Sequence, residues 1–120
     1  YKTLAENRAV AMLPDQEPQA GTGLFAPFFG IPAYTMVFLS RLTIKTGAPI
    51  VFVWSERLSF GRGYRLHFRP ALEGAAADDL ATSVAAINST VENMIRERPE
   101  QYQWSYRRFR TRPEGEPPVY

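Results

Sequence analysis

At 120 residues, 45% of them hydrophobic and 22% charged, the chain can build one domain-sized core and carries ordinary surface polarity. Its formal net charge of +2 selects no class of partner, so where the arginines lie matters more than their number. With no cysteine present, disulfides, thiolate nucleophiles and cysteine-based metal sites are excluded.

Leu4 to Arg8 reads as the end of a helix, and Ala9 to Leu13 is a short apolar run that suits a buried strand. From Leu13 to Gly30 the sequence LPDQEPQAGTGLFAPFFG predicts a long binding loop. It joins the acids Asp15 and Glu17 to a glycine bend (Gly21, Gly23) and to the aromatic group Phe25, Phe28 and Phe29. Loops of this length in compact domains are usually functional or disordered, and so many phenylalanines and prolines favour function. Acids at the carboxyl end of a strand would sit where open α/β sheets place ligands. Their expected role is support: no nucleophile lies near them for acid–base work, and two carboxylates on a proline-broken loop do not make a metal site. The three phenylalanines are read either as core or as an apolar surface for an acyl chain or a bilayer. Leu24 to Leu39 is the longest mostly apolar region, and Pro27, Gly30 and Pro32 break it well short of a bilayer span.

Ala33 to Lys45 predicts a helix that Gly47 ends, and Pro49 to Trp54 predicts a buried strand. Strand, helix and strand then make a right-handed βαβ unit with its strands in one sheet. Ser59 to Gly63 supplies a turn from which Tyr64 to Arg69 returns antiparallel; Gly61-x-Gly63 is too short for a phosphate loop. The only histidine, His67, alternates on that returning strand and is expected to face solvent.

Asp78 or Asp79 caps a helix whose core stripe is Leu80, Val84, Ile87, Val91 and Met94. The sequon Asn88-Ser89-Thr90 lies inside that helix and carries no meaning there. Pro99 ends the pattern, and residues 114–120 read as an irregular tail. The densest basic run is Arg107, Arg108, Arg110 and Arg112, interleaved with Tyr106 and Phe109. It reads as a solvated face, as a groove for single-stranded nucleic acid, or as a site for lipid phosphates, which suit the planar guanidinium fork. Arg57, Arg62 and Arg65 around the hairpin could extend the same surface.

LPDQEP (residues 13–18), the glycine bend and FAPFFGIPA (25–33) together resemble the late acyltransferases of lipid A biosynthesis, the lauroyl/myristoyl-transferring enzymes of Gram-negative bacteria. PEQYQWSYRRFRTRPEGEPPVY (99–120) is similar to that family's closing signature. Thr46 to Val51 resembles the proline-containing strand motif of the wider glycerolipid acyltransferase superfamily, and Pro14-Asp15 falls where that superfamily carries a Pro-Glu-Gly-Thr type motif. The resemblance spans nearly all of the chain. It implies a mixed-sheet α/β fold in which residues 1–120 are the C-terminal part of a single acyltransferase domain.

The resemblance further implies transfer of a lauroyl or myristoyl group from acyl carrier protein to a hydroxyl of a lipid A precursor, with no metal or organic cofactor. The setting it implies is the cytoplasmic face of the inner membrane, with the anchor outside this segment. The partners are then acyl carrier protein, the glycolipid and the membrane surface, and not nucleic acid. The candidate substrate-binding residues are Asp15, Glu17, Gly23, Phe25, Phe28, Phe29, Arg107, Arg108 and Arg110. In one respect the chain departs from the family: the catalytic His-x4-Asp/Glu motif is absent, since Leu72 stands five positions after His67. The chain is therefore expected to be the C-terminal half of a larger enzyme and silent by itself. The alternative is a non-catalytic module that binds anionic lipid or acyl chains.

Overall fold

The computed structural model describes residues 1–120 and is mixed α/β. After a one-turn helix α1 (Lys2–Ala5), the chain runs without regular structure to strand β1 (Gly23–Phe28), which pairs antiparallel with β2 (Ile31–Met36). Helix α2 (Phe38–Thr46) follows and ends on Gly47 in the left-handed conformation, φ 68°. Strand β3 (Val51–Arg57) pairs antiparallel with β4 (Tyr64–Pro70), and helix α3 (Leu80–Glu97) closes the regular structure. The β1–β2 and β3–β4 hairpins are separate two-stranded sheets. The predicted βαβ unit with its strands in one parallel sheet does not form.

Three local differences from the sequence reading explain that outcome. First, Ala9 to Leu13 forms no strand, and Val10 and Leu13 remain exposed. An apolar run specifies proximity to apolar surface, not strand pairing. Second, the stretch read as one long loop contains β1. Its period-two burial was masked by prolines, yet Pro27 stands opposite Pro32. The two-residue turn Phe29-Gly30 makes Phe28 and Ile31 the hydrogen-bonded pair, so Pro27 and Pro32 fall on the next, non-bonded pair, where no N–H is missed. Third, Ala33 to Met36 belongs to β2, and the helix starts only at Phe38.

The turn of the first hairpin has φ 49° at Phe29 and 76° at Gly30, the paired positive values that match the right-handed twist of the strands. Helix α3 matches its expectation. The Asp79 carboxylate accepts from the Thr82 N–H at 2.8 Å, and Val84, Ile87 and Val91 are buried. Leu80 and Met94 are only half-buried, while Ile95 joins the core. That core is Phe28, Ala33, Phe52, Ala75, Ile87, Val91 and Ile95. Strand β3, expected to be fully buried, is buried on one face only: Phe52 points in, whereas Val51 and Val53 are exposed. The radius of gyration, 15.3 Å, exceeds the about 13.6 Å of a compact chain of this length. The molecule is correspondingly flat, 45 × 43 × 23 Å, and a cleft opens along β3.

Candidate functional site

The acidic loop and the C-terminal arginine segment, 89 to 94 residues apart in sequence at their contacts, meet in space. Glu17 Oε2 accepts from Arg110 Nε at 3.1 Å and Glu17 Oε1 from the Thr111 N–H at 2.8 Å. The Glu17 N–H in turn donates to the Tyr106 hydroxyl at 2.8 Å. The Glu17 side chain is 1% exposed while that of Arg110 is 72% exposed, so the carboxylate is the buried half of the clasp. Both of its oxygens are occupied from within the chain.

Arg108 lies deeper still. It is 2% exposed. Its guanidinium donates to the Tyr34 carbonyl at 2.8 Å and to Thr35 Oγ1 at 2.7 Å, and lies 5.4 Å from the centre of the Phe28 ring. Burial pulls its pKa below the ordinary arginine value, opposed by the neighbouring Tyr102, Tyr106, Glu17 and Asp15. Arg112 also turns inward, donating to the Pro32 carbonyl at 2.7 Å. Arg107 is exposed and lies over the Tyr120 ring. The basic run is therefore not one solvated face: Arg108 and Arg112 hold the C-terminal segment to the β1–β2 hairpin. On the other side of that hairpin, Asn88 Nδ2 donates to the Pro27 carbonyl at 2.9 Å and to Thr35 Oγ1 at 3.1 Å. Thr35 Oγ1 thus joins α3, β2 and the arginine segment at one atom.

The aromatic group is divided between core and surface. Phe28 is in the core, and Phe25 is exposed against Tyr34. Phe29 packs on Phe28 and Trp104 beneath Arg96, and its N–H donates to Glu92 Oε1 at 2.9 Å. Gly23 donates its N–H to the Tyr34 hydroxyl at 2.9 Å. A Cβ there would stand 2.6 Å from the Thr35 carbonyl oxygen and 2.7 Å from Pro18 Cγ. Gly23→Ala is accordingly expected to cost about 1–3 kcal/mol through forced backbone displacement, read as a lowered unfolding midpoint.

The cleft has a volume of about 890 Å³, within the usual range for small-molecule sites. Its walls are mostly apolar, from residues 9–14, Leu39 and Leu42 of α2, Ile50 to Val53, and Met94 and Ile95 of α3. Of the nine residues singled out from sequence, only Asp15 lines it. Beside Asp15, also on the cleft, stands Tyr102, whose phenol is pushed well above its ordinary pKa by burial and by the Asp15 carboxylate. Tyr102 therefore remains a proton donor through the neutral range. No helix is long and apolar enough to cross a membrane, and no three His, Asp or Glu side chains converge.

One constellation escaped the sequence reading. His67 does not face solvent: its Nε2 lies 2.9 Å from Glu56 Oε2, and its ring stacks on Trp54 with centroids 4.5 Å apart and planes within 9°. Glu56 also accepts from Arg98 Nε at 3.1 Å and faces Arg65 at 3.5 Å. The signal was available in the hairpin, because register places Trp54 opposite His67 and Glu56 opposite Arg65. The His67 hydrogen bond, with help from Arg98 and Arg65 and against burial, holds the Glu56 carboxyl below its ordinary 4.5. A depressed acid contributes stability that is complete above the unfolded-state value and disappears as pH falls through the lower folded-state value. Unfolding midpoints measured from pH 6 downward should therefore drop for the native protein through and below the ordinary carboxylate range. Glu56→Gln should start lower and show a shallower drop.

The model of the family described as bacterial lipid A biosynthesis acyltransferase matches residues 1–111. Among curated proteins, the chain is 36% identical to a lipid A biosynthesis lauroyltransferase of Escherichia coli (strain K12) over 120 residues, which is 99% of this chain and 39% of that protein. It is 37% identical over 121 residues to a lipid A biosynthesis palmitoleoyltransferase of the same organism, covering 98% and 38% respectively. A lipid A biosynthesis acyltransferase of Haemophilus influenzae is 29% identical over 104 residues. The chain thus spans about two fifths of the length of the first two relatives.

Proposed function

The chain belongs to the family of bacterial lipid A biosynthesis acyltransferases, and from that membership we propose that its protein transfers a fatty acyl group from acyl carrier protein to a hydroxyl of a lipid A precursor. The carrying observation is the continuous match at 36–37% identity along 98–99% of the chain. It includes the two stretches, residues 13–18 and 99–111, that the fold clasps together through Glu17. Lauroyl and myristoyl groups are the proposed cargo, and the cytoplasmic face of the inner membrane is the proposed setting.

The acyl chain is assigned to the apolar cleft along β3, where each methylene taken from water contributes about 0.8 kcal/mol. Asp15 and the protonated Tyr102 at its wall are the polar groups that would meet the reacting end. Exposed Arg107 is the member of the basic run available to a glycolipid phosphate or to the acidic carrier protein. Glu17, Gly23, Phe28 and Arg108 serve the same reaction by fixing the scaffold. In this scheme the general base that takes the acceptor's proton lies outside residues 1–120, because His67 is committed to Glu56 and Trp54.

The test is acyl transfer from lauroyl- and myristoyl-carrier protein to a lipid A precursor. The full-length protein should turn over, and residues 1–120 alone should show no turnover. A full-length protein that binds the glycolipid without transferring acyl groups would instead make this a binding module.

A further inference from the structure

Both hairpins turn on a Phe-Gly pair in the left-handed region. At Phe29-Gly30 the phenylalanine ring is packed against Phe28 and Trp104 and lies beneath Arg96, which offsets the backbone strain. At the tip of the second hairpin, Phe60 has φ 57° and Gly61 φ 69°, and the Phe60 ring is 97% exposed. A bulky residue held left-handed costs about 1–2 kcal/mol, and here no internal contact repays it. Behind the tip, Tyr64 and Leu66 are 70% and 58% exposed on the outward face of β4. Neither lines the cleft. Residues 57–72 contain four arginines and no acid; Arg65 and Arg69 face Glu56 and Glu97, which leaves the side chains of Arg57 and Arg62 beside the tip without a carboxylate partner.

We propose that the end of the β3–β4 hairpin is a lipid-contact element, with Phe60 entering the interface of an anionic phospholipid surface and Arg57 and Arg62 meeting its phosphates. An apolar tip ringed by cations and free of carboxylates fits a negatively charged leaflet. Shallow apolar insertion and charge attraction reinforce one another there. The inference rests on the membrane-surface part of the proposed function and is independent of the acyl-transfer chemistry.

The experiment is flotation of the protein, freed of any membrane anchor outside residues 1–120, with vesicles of phosphatidylglycerol and phosphatidylethanolamine, and with phosphatidylcholine alone. Acyl transfer to a detergent-solubilised acceptor is measured in parallel. The protein should bind the anionic vesicles and lose them at high salt. Phe60→Ser should weaken binding about tenfold. The double change Arg57→Gln and Arg62→Gln should weaken it about 25-fold, at about fivefold per arginine. Both variants should keep the native unfolding midpoint and full transfer in detergent. Unchanged vesicle affinity in both variants overturns the hairpin assignment while leaving acyl transfer standing. Equal binding to phosphatidylcholine overturns the charge match. Normal vesicle binding with a raised KM for acyl carrier protein overturns the proposal in favour of a protein partner.

Discussion

Arg108→Ala is expected to lower the unfolding free energy by about 3–5 kcal/mol, the range for removing one member of a buried charged network. Three losses combine. The Tyr34 carbonyl loses its side-chain donor and Thr35 Oγ1 loses one of two, keeping Asn88, a cavity opens over Phe28, and the Asp15 and Glu17 charges lose a buried cation. Arg108→Lys keeps the charge without the fork that reaches two acceptors, so it should recover only part of the loss. Denaturant unfolding of the three proteins checks the order, and a cost below about 1 kcal/mol for alanine would mean that the arginine segment is not a structural clamp.

Glu17→Ala is the second large effect, about 2–4 kcal/mol, because it strips the Thr111 N–H and Arg110 of a shared acceptor that is itself buried. The converse change should be nearly silent. Arg110 is mostly exposed, and an exposed partner contributes about 0–1 kcal/mol. That asymmetry separates a clamp from an ordinary surface pair, in which both truncations would cost little. Proteolysis offers an independent readout: in Glu17→Ala the segment after Tyr106 should be cut faster than in the native protein.

Sequence alone reached some of this architecture and missed the rest for physical reasons. Helix α3 was legible because its cap at Asp79 and its stripe through Val84, Ile87 and Val91 are local signals. The β3–β4 hairpin was legible from alternation and a glycine turn. The β1–β2 hairpin was hidden by Pro27 and Pro32, which fall on a pair that needs no N–H, and by a turn that uses Phe29-Gly30 in place of the usual Asn-Gly. The helical spacing of Met36, Val37, Ser40 and Ile44 crosses a strand–helix junction, so a true period was assigned to the wrong length of chain.

At the site, the strand-end position of the loop, the density of the basic run and the family resemblance together brought Asp15, Glu17 and the arginines into view. It could not tell inward from outward. Composition reads Arg107, Arg108, Arg110 and Arg112 as one basic surface, whereas Arg108 and Arg112 donate to the backbone of β2. Such bonds depend on contacts more than 70 residues apart in the chain, beyond the reach of any window. The cleft along β3 is likewise a product of how the hairpins and helices sit, and its apolar residues looked like separate core segments.

The central claim is that Glu17 and Arg108 serve acyl transfer by holding the scaffold, leaving the substrates to the cleft and to exposed groups. It is tested most directly by measuring the KM for the glycolipid acceptor and the unfolding midpoint side by side in full-length Glu17→Gln and Arg108→Lys proteins. The expected result is a lowered midpoint in both, with KM unchanged at temperatures where the variants stay folded. A KM raised severalfold at an unaltered midpoint would contradict it and make these side chains direct contacts of the substrate.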